Sequence, residues 1–333
     1  MRIGLLVLYV SSALGARYAV AQDVTRHAMP SAACIEFNQT AVNQVAVGRL
    51  RDVESALSAA LADRADVAEQ SCAGLILHNL AFVMALSGRL AEAEVLANRS
   101  LKIFEKGYPP DDPFLWRPLH LLSSIRFEQG KIAMARETFQ RLRSIPTERP
   151  VERAMVHGLA AALLYSEGRY NECEAEYLKA LVAWEESGYG ETRDVAAFLG
   201  SLATLYIADG RYREAGRTLD RAFAIFASAK DTVPTDRIKL FAARAELHVR
   251  QGEWREAEAD LGSAISTADR DARIDPAVLQ SLLANYAHVL HKNHRGREAR
   301  TIEARAAALQ THGLTDGVVD ISELLAKPRT AKR

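Results

Sequence analysis

Gly210-Arg211-Tyr212-Arg213-Glu214-Ala215 returns 42 residues later, nearly copied, as Gly252-Glu253-Trp254-Arg255-Glu256-Ala257. One step of 42 back lies Gly168-Arg169-Tyr170-Asn171-Glu172-Cys173, and one step forward lies His294 with Glu298-Ala299 in the matching places. Upstream the beat continues at Gly130-Lys131-Ile132, Gly88-Arg89-Leu90 and Gly48-Arg49-Leu50, with steps of 38, 42 and 40. A period of this length marks a supersecondary unit that cannot bury its own apolar face and must stack on its neighbours. Seven such units make the chain an array.

Each unit reads as two antiparallel helices joined at the Gly, which suits the left-handed backbone that ends a helix. Seven residues before the Gly stand Ala41, Ala81, Ser123, Ala161, Ala203, Ala245 and Ala287, all small. Five residues after it stand Val53, Ala93, Ala135, Cys173, Ala215, Ala257 and Ala299. Small side chains at these places let the two helices of a unit approach closely, and larger ones such as Tyr206, Leu219 and Phe223 fill the gaps between. First helices are expected to begin near residues 34, 70, 112, 150, 192, 235 and 275, after linkers that carry Pro or Gly.

The array does not include the first residues. Met1-Arg2, the apolar run Ile3 to Val10 and the small-x-small site Ala19-Val20-Ala21 read as a signal peptide over residues 1–21. Residues 22–33 then form an extended mature N-terminus, residues 34–312 the solenoid, and residues 313–333 a C-terminal extension ending in a basic tail. Val318-Val319-Asp320-Ile321 is expected to lie extended against the last pair. Cleavage takes away Arg2 and Arg17, so 40 Lys and Arg face 42 Asp and Glu. That balance gives no reason to expect a nucleic-acid partner. No other stretch is apolar enough to cross a membrane, and an exported protein, periplasmic or extracellular, is the expectation.

The small-residue register around Gly-x-Tyr-x-Glu-Ala resembles the tetratricopeptide repeat (TPR) family. The 42-residue step and the triplets Asn79-Leu80-Ala81 and Asn285-Tyr286-Ala287 are similar to the longer repeats of kinesin light chain type. The resemblance implies an all-α, right-handed α-solenoid whose concave groove, lined by first-helix residues, binds a protein or peptide segment. Carried over register by register, it makes Leu75, Phe82, Phe127 and Tyr165 apolar contacts and sets Asn79 and Asn285 against the ligand backbone. His288 joins them in the groove, and Lys239, Arg250 and Lys292 favour acidic residues at one end. Gly158 and Gly200 share one inner register, clearing space either for a neighbouring helix or for a ligand.

Cys34 and Cys72 lie 14 and 16 residues before their turn glycines, at the same end of neighbouring first helices, and export would oxidise them to a disulfide. Cys173 takes a small-residue place as a buried thiol. H-E-x-x-H, G-x-S-x-G, C-x-x-C and G-x-x-x-x-G-K-[ST] are absent. The sequence therefore reads as a non-catalytic scaffold without a cofactor. Two alternatives stand beside it. One is a metal-assisted hydrolase built on Glu246, His288 and His291, and the other is a structural protein that self-associates.

Overall fold

A computed structural model describes residues 31–46, 49–63, 70–228, 234–271, 274 and 276–309. The expected signal peptide, most of the extended N-terminus and the C-terminal extension lie outside the described residues. Fourteen α-helices run in order: α1 Ala32–Ala46, α2 Leu50–Asp63, α3 Gln70–Leu86, α4 Leu90–Gly107, α5 Trp116–Glu128, α6 Ile132–Arg143 and α7 Pro150–Ser166. Then come α8 Tyr170–Glu186, α9 Arg193–Ala208, α10 Tyr212–Ser228, α11 Pro234–Gln251, α12 Trp254–Asp269, α13 Pro276–Lys292 and α14 Gly296–Ala308. No strand occurs among the described residues. They form the seven hairpins expected of an α-solenoid, with starts within two residues of those read from sequence except at α5. There Pro113–Leu115 first makes a 3₁₀ turn, capped by the Asp112 carboxylate on the Phe114 amide at 2.8 Å.

The helices fall into two compact units, divided between Gly190 and Glu191. The N-terminal unit stacks the four hairpins of α1 to α8, and the C-terminal unit stacks the three of α9 to α14. In each, a second helix packs on the first helix of the next hairpin, and successive first helices touch.

The turn chemistry repeats closely. Gly88, Gly130, Gly168, Gly210 and Gly252 hold φ between 73° and 79°, and His294 holds 60°. In each case the next residue's amide bonds back five residues, as Arg89 does to Met84 O at 2.9 Å and Arg211 to Tyr206 O at 2.8 Å. Those bonds satisfy carbonyls that the helix end would otherwise leave open. His294 keeps the same bonds, Arg295 to Leu290 O at 2.9 Å, but puts a Cβ where the left-handed backbone disfavours one.

The small residues sit where the helices cross. Ala81, Ala93, Ala135, Ala161, Cys173, Ala203, Ala215, Ala245, Ala257 and Ala299 have no exposed surface. Ser123, which replaces Ala at that place, donates to Ala135 O on the facing helix at 2.7 Å, and Ser100 donates to Gly74 O at 2.8 Å. A buried hydroxyl without such a partner would cost about 1–3 kcal/mol. Gly200 serves a neighbouring helix: a Cβ there would come within 2.8 Å of Leu240 Cδ2 on α11.

Ion pairs outside the core tie one turn to the previous hairpin. Arg89 reaches Glu54 at 2.7 Å and Lys131 reaches Glu94 at 2.6 Å, while Arg295 pairs with Glu258. In all three the cation directly follows the turn residue, and the acid stands six places after the previous turn residue. Exposed pairs of this kind contribute about 0–1 kcal/mol each, so their effect is mainly on register.

Candidate functional site

The candidate surface is the face of the first helices, and the two units arrange it differently. In the N-terminal unit the residues read as groove contacts have already withdrawn from water: Leu75, Phe82 and Phe127 are 7%, 2% and 2% exposed. The reading of these three as an open apolar lining is therefore corrected. Apolar surface loses about 25 cal/mol per Å² on burial, so side chains of this size on a tightly stacked face are driven inward. Tyr165 stays half-buried, its ring tilted against Tyr170 at 5.5 Å.

The two asparagines also differ from expectation. Asn79 Nδ2 donates to Asn38 Oδ1 at 2.7 Å, and Asn38 Nδ2 donates to Cys34 O at 2.9 Å. This side-chain ladder joins α3 to α1 at the level where Cys34 and Cys72 are bonded, with Cα atoms 5.9 Å apart. Asn79 is thus committed between two first helices, and Asn285 is buried in the C-terminal unit. Burial closes Asn285 to a ligand backbone, and half-buried Asn79 has its amide nitrogen engaged by Asn38.

One register along the N-terminal unit carries buried polar groups: Asn38, His78 and His120, each ten residues before its turn position. Burial pulls the His78 imidazole down to about 3, helped by the nearby charges of Arg117 and His120. Burial also takes His120 down to about 4, against a hydrogen bond with the Met155 backbone, and Trp116 stacks on its ring at 5.0 Å. Both rings are neutral bases inside the fold.

In the C-terminal unit the expected cations do remain reachable. Lys239 and Lys292 are exposed and Arg250 is half-buried. Arg250 Nη2 lies 3.9 Å from Glu246 Oε1, and Lys292 Nζ lies 5.6 Å from the centre of the Trp254 ring. His288 meets the same indole edge-on at 6.3 Å, and Asn293 Nδ2 donates to Trp254 O at 3.0 Å. Trp254 therefore organises this end of the face, a role the sequence reading did not give it. The signal was present, since Trp254 is the largest of the residues that stand two places after the turn.

Glu246, His288 and His291 are not brought together. Glu246 is buried beside Arg250, His288 packs on Trp254, and His291 Nε2 bonds Glu303 Oε1 at 2.9 Å. Among the described residues, no group of three or more His, Cys, Asp or Glu is placed to hold a metal ion. The metal-hydrolase alternative is corrected on that disposition. Cys173 is buried and its thiol is pushed up to about 12, by burial first and then by Glu174, so it is no thiolate nucleophile.

Sequence reasoning also missed a buried charge cluster. Arg193, Asp194 and Asp236 are all buried, with Arg193 Nε 3.4 Å from Asp236 Oδ2 and Nη2 3.9 Å from Asp194 Oδ1. Burial raises Asp194 to about 8 against the pull of Arg193, and raises Asp236 against Lys239 and Arg193. Glu246 is raised to about 7 by burial, against Arg250. Asp194 and Asp236 both stand sixteen residues before their turn glycines, a coincidence visible in the sequence.

With this geometry in place, comparison with known proteins adds the family. The sequence matches the tetratricopeptide repeat family over residues 73–148 and 152–228. These are tetratricopeptide repeats. The TPR fold is similar to that of a tetratricopeptide repeat protein from Parabacteroides merdae, at 18% identity and TM-score 0.50, covering 89% of this chain and 98% of that one. It is also similar to a Rap protein complexed with competence and sporulation factor, at 15% identity and TM-score 0.59, covering 88% and 75%. BtubC (BKLC) from P. vanneervenii aligns at 18% identity and TM-score 0.54 over 73% of this chain and 95% of its own. Likeness at such identity establishes the fold alone. No curated protein matches the sequence.

Proposed function

We infer that the chain is an exported, non-catalytic scaffold that holds an acidic polypeptide segment against the first-helix face of α11 and α13. The observation that carries this reading is the state of three cations on that face. The turn arginines Arg89, Arg169, Arg211 and Arg295 are each bonded to a carboxylate within 3.0 Å. Among the described residues Lys239 and Lys292 are exposed outside any such pair, and the nearest carboxylate to Arg250 is Glu246 at 3.9 Å. Cations left without a close counter-ion steer and select acidic partners. Repeat folds of this kind accept extended or helical segments along such a face, and a Rap protein of this fold is seen with competence and sporulation factor. Export is supported by the apolar run after Met1-Arg2 and by the bonded Cys34 and Cys72, since disulfides persist in oxidising compartments. No helix among the described residues is long and apolar enough to cross a membrane.

The test is a peptide array probed with the full chain and with Arg250→Glu combined with Lys292→Glu. The wild-type chain is expected to favour Asp- and Glu-rich peptides with strong salt dependence, and the double variant to lose that preference by tenfold or more. An unchanged acidic preference in the variant overturns the reading.

A further inference from the structure

Outside the first-helix face the N-terminal unit holds a cleft of about 360 Å³ between the second helices α6 and α8, floored by α7. That volume is at the lower end of the range for small-ligand sites, about 300–1,000 Å³. On α7 the floor residues Ala160, Leu163 and Leu164 fall opposite Met155, Ala162 and Tyr165, which belong to the first-helix face, given 3.6 residues per turn. The cleft is thus independent of the surface assigned to a polypeptide partner.

The walls differ in chemistry. Arg136, Gln140 and Arg143 stand on one side of α6 at spacings of four and three, and Glu172, Glu176 and Lys179 repeat that spacing on α8. Half-buried Leu164 on the floor and exposed Ala175 on α8 supply the apolar surface between them. Four cations line the cleft against three carboxylates, Arg169 and Glu167 completing the set.

The carboxylates are committed. Glu167 pairs with Arg136 and with Arg169 at 3.2 Å, and Glu172 takes Arg169 at 2.7 Å. Glu176 takes His157 Nδ1 at 2.6 Å and Lys179 at 2.7 Å. What remains is on the α6 wall. Arg143 has no carboxylate partner among the described residues and lies over the Phe139 ring at 5.8 Å, and Gln140 has no hydrogen bond among them.

We propose that this cleft binds a small apolar carboxylate of amino-acid size, its carboxylate on Arg143 and Gln140 and its apolar body on Leu164 and Ala175. A guanidinium beside an apolar floor meets both halves of such a molecule: it donates two parallel hydrogen bonds to the planar carboxylate. The same chemistry is offered by a free acid and by the last residue of a polypeptide.

Calorimetric titration of the full chain with N-acetyl-leucine, N-acetyl-leucinamide and acetate tests the assignment. N-acetyl-leucine is expected to bind saturably at one site, the neutral amide about tenfold or more weakly, and acetate without saturation. Arg143→Gln is expected to bring the acid down to the level of the amide, and Arg143→Lys to retain part of the difference. Arg143 is exposed, so neither variant threatens the fold. A short peptide ending in a free leucine distinguishes the two sources. Binding equal to that of N-acetyl-leucine assigns the site to a chain terminus, and its failure where the acid binds assigns a free small molecule. Equal binding of acid and amide, no saturable binding of the acid, or an Arg143→Gln variant that binds as wild type would overturn the proposal.

Discussion

Acidification from pH 8 to pH 5 should loosen the N-terminal unit while tightening the C-terminal one, because the two units bury titrating groups of opposite kind. His78 and His120 are neutral in the fold, held to about 3 and about 4 mainly by burial. A base whose folded pKa is depressed adds stability above its unfolded value, near 6.5, and loses it as the pH falls toward the folded value. At pH 5 each histidine has passed about 1.5 units below the unfolded value and has lost about 2 kcal/mol, so the pair has lost about 4 kcal/mol. That loss is the same for any folded value below 5. In the C-terminal unit Asp194 at about 8 and Glu246 at about 7 hold their protons in the fold between pH 5 and 6.5, where the unfolded chain has released them, and burial shifts Asp236 in the same direction. Their contribution is full below about pH 4 and is lost as the pH rises through 7 and 8. Hydrogen exchange read by mass spectrometry at pH 8, 6.5 and 5, corrected for intrinsic rates, separates the units by peptide. Opening free energies over residues 70–128 should fall, and those over residues 193–251 should rise. Parallel changes in both units would refute the reasoning. So would an acid-induced loosening that survives His78→Gln with His120→Gln.

Two further outcomes follow from the same structure. Reducing the Cys34–Cys72 bond, which closes 38 residues, should cost about 4 kcal/mol on the loop-entropy estimate and raise exchange in α1 and α2 without touching α9 to α14; a urea midpoint for the first hairpins that ignores reductant contradicts this. His294→Gly should raise the melting temperature of the C-terminal unit, since relief of a left-handed Cβ at about 1–2 kcal/mol exceeds the added freedom of Gly in the unfolded chain at about 0.5–1 kcal/mol; an unchanged or lower value contradicts it.

The hairpins were legible because their signals are local and steric. Only Gly adopts the turn conformation without strain, and only small side chains fit where helices cross, so Gly210 and Ala203 announce both from sequence. Cys34 and Cys72 were legible for a related reason: registers only two residues apart on neighbouring first helices put them within bridging reach. The accessibility of the first-helix face was not legible. Register tells which way Leu75, Phe82 and Phe127 project, but their exposure depends on how far neighbouring elements close over them. Asp194 and Asp236 misled for another reason. An acid in the first turn of a helix ordinarily serves the helix dipole from solvent, and nothing in the sequence says that these two first turns are inside.

The division of chemistry between the units has a physical origin in the repeat itself. Since Ala and Gly at fixed places settle helix packing, the inner registers are free to vary, and each unit uses that freedom differently. The N-terminal unit fills them with Asn38, His78, His120, Leu75 and Phe82, all buried. A buried, hydrogen-bonded polar stripe fixes one stacking arrangement, because a slip by one turn would strand each of its groups without a partner. The C-terminal unit instead keeps Lys239 exposed at the register of Leu75, places Arg250 and Lys292 two residues before their turns, and draws the compensating acids Asp236 and Glu246 inward. Buried acids with raised pKa are uncharged for part of the time near neutral pH, so they neutralise those cations incompletely. The positive field of the α11–α13 face therefore exceeds what a count of its charges suggests, and it grows as the pH falls toward 6. An acidic peptide should accordingly bind that face more tightly at pH 6 than at pH 8, and Glu246→Gln should bring the pH 8 affinity most of the way to the pH 6 value.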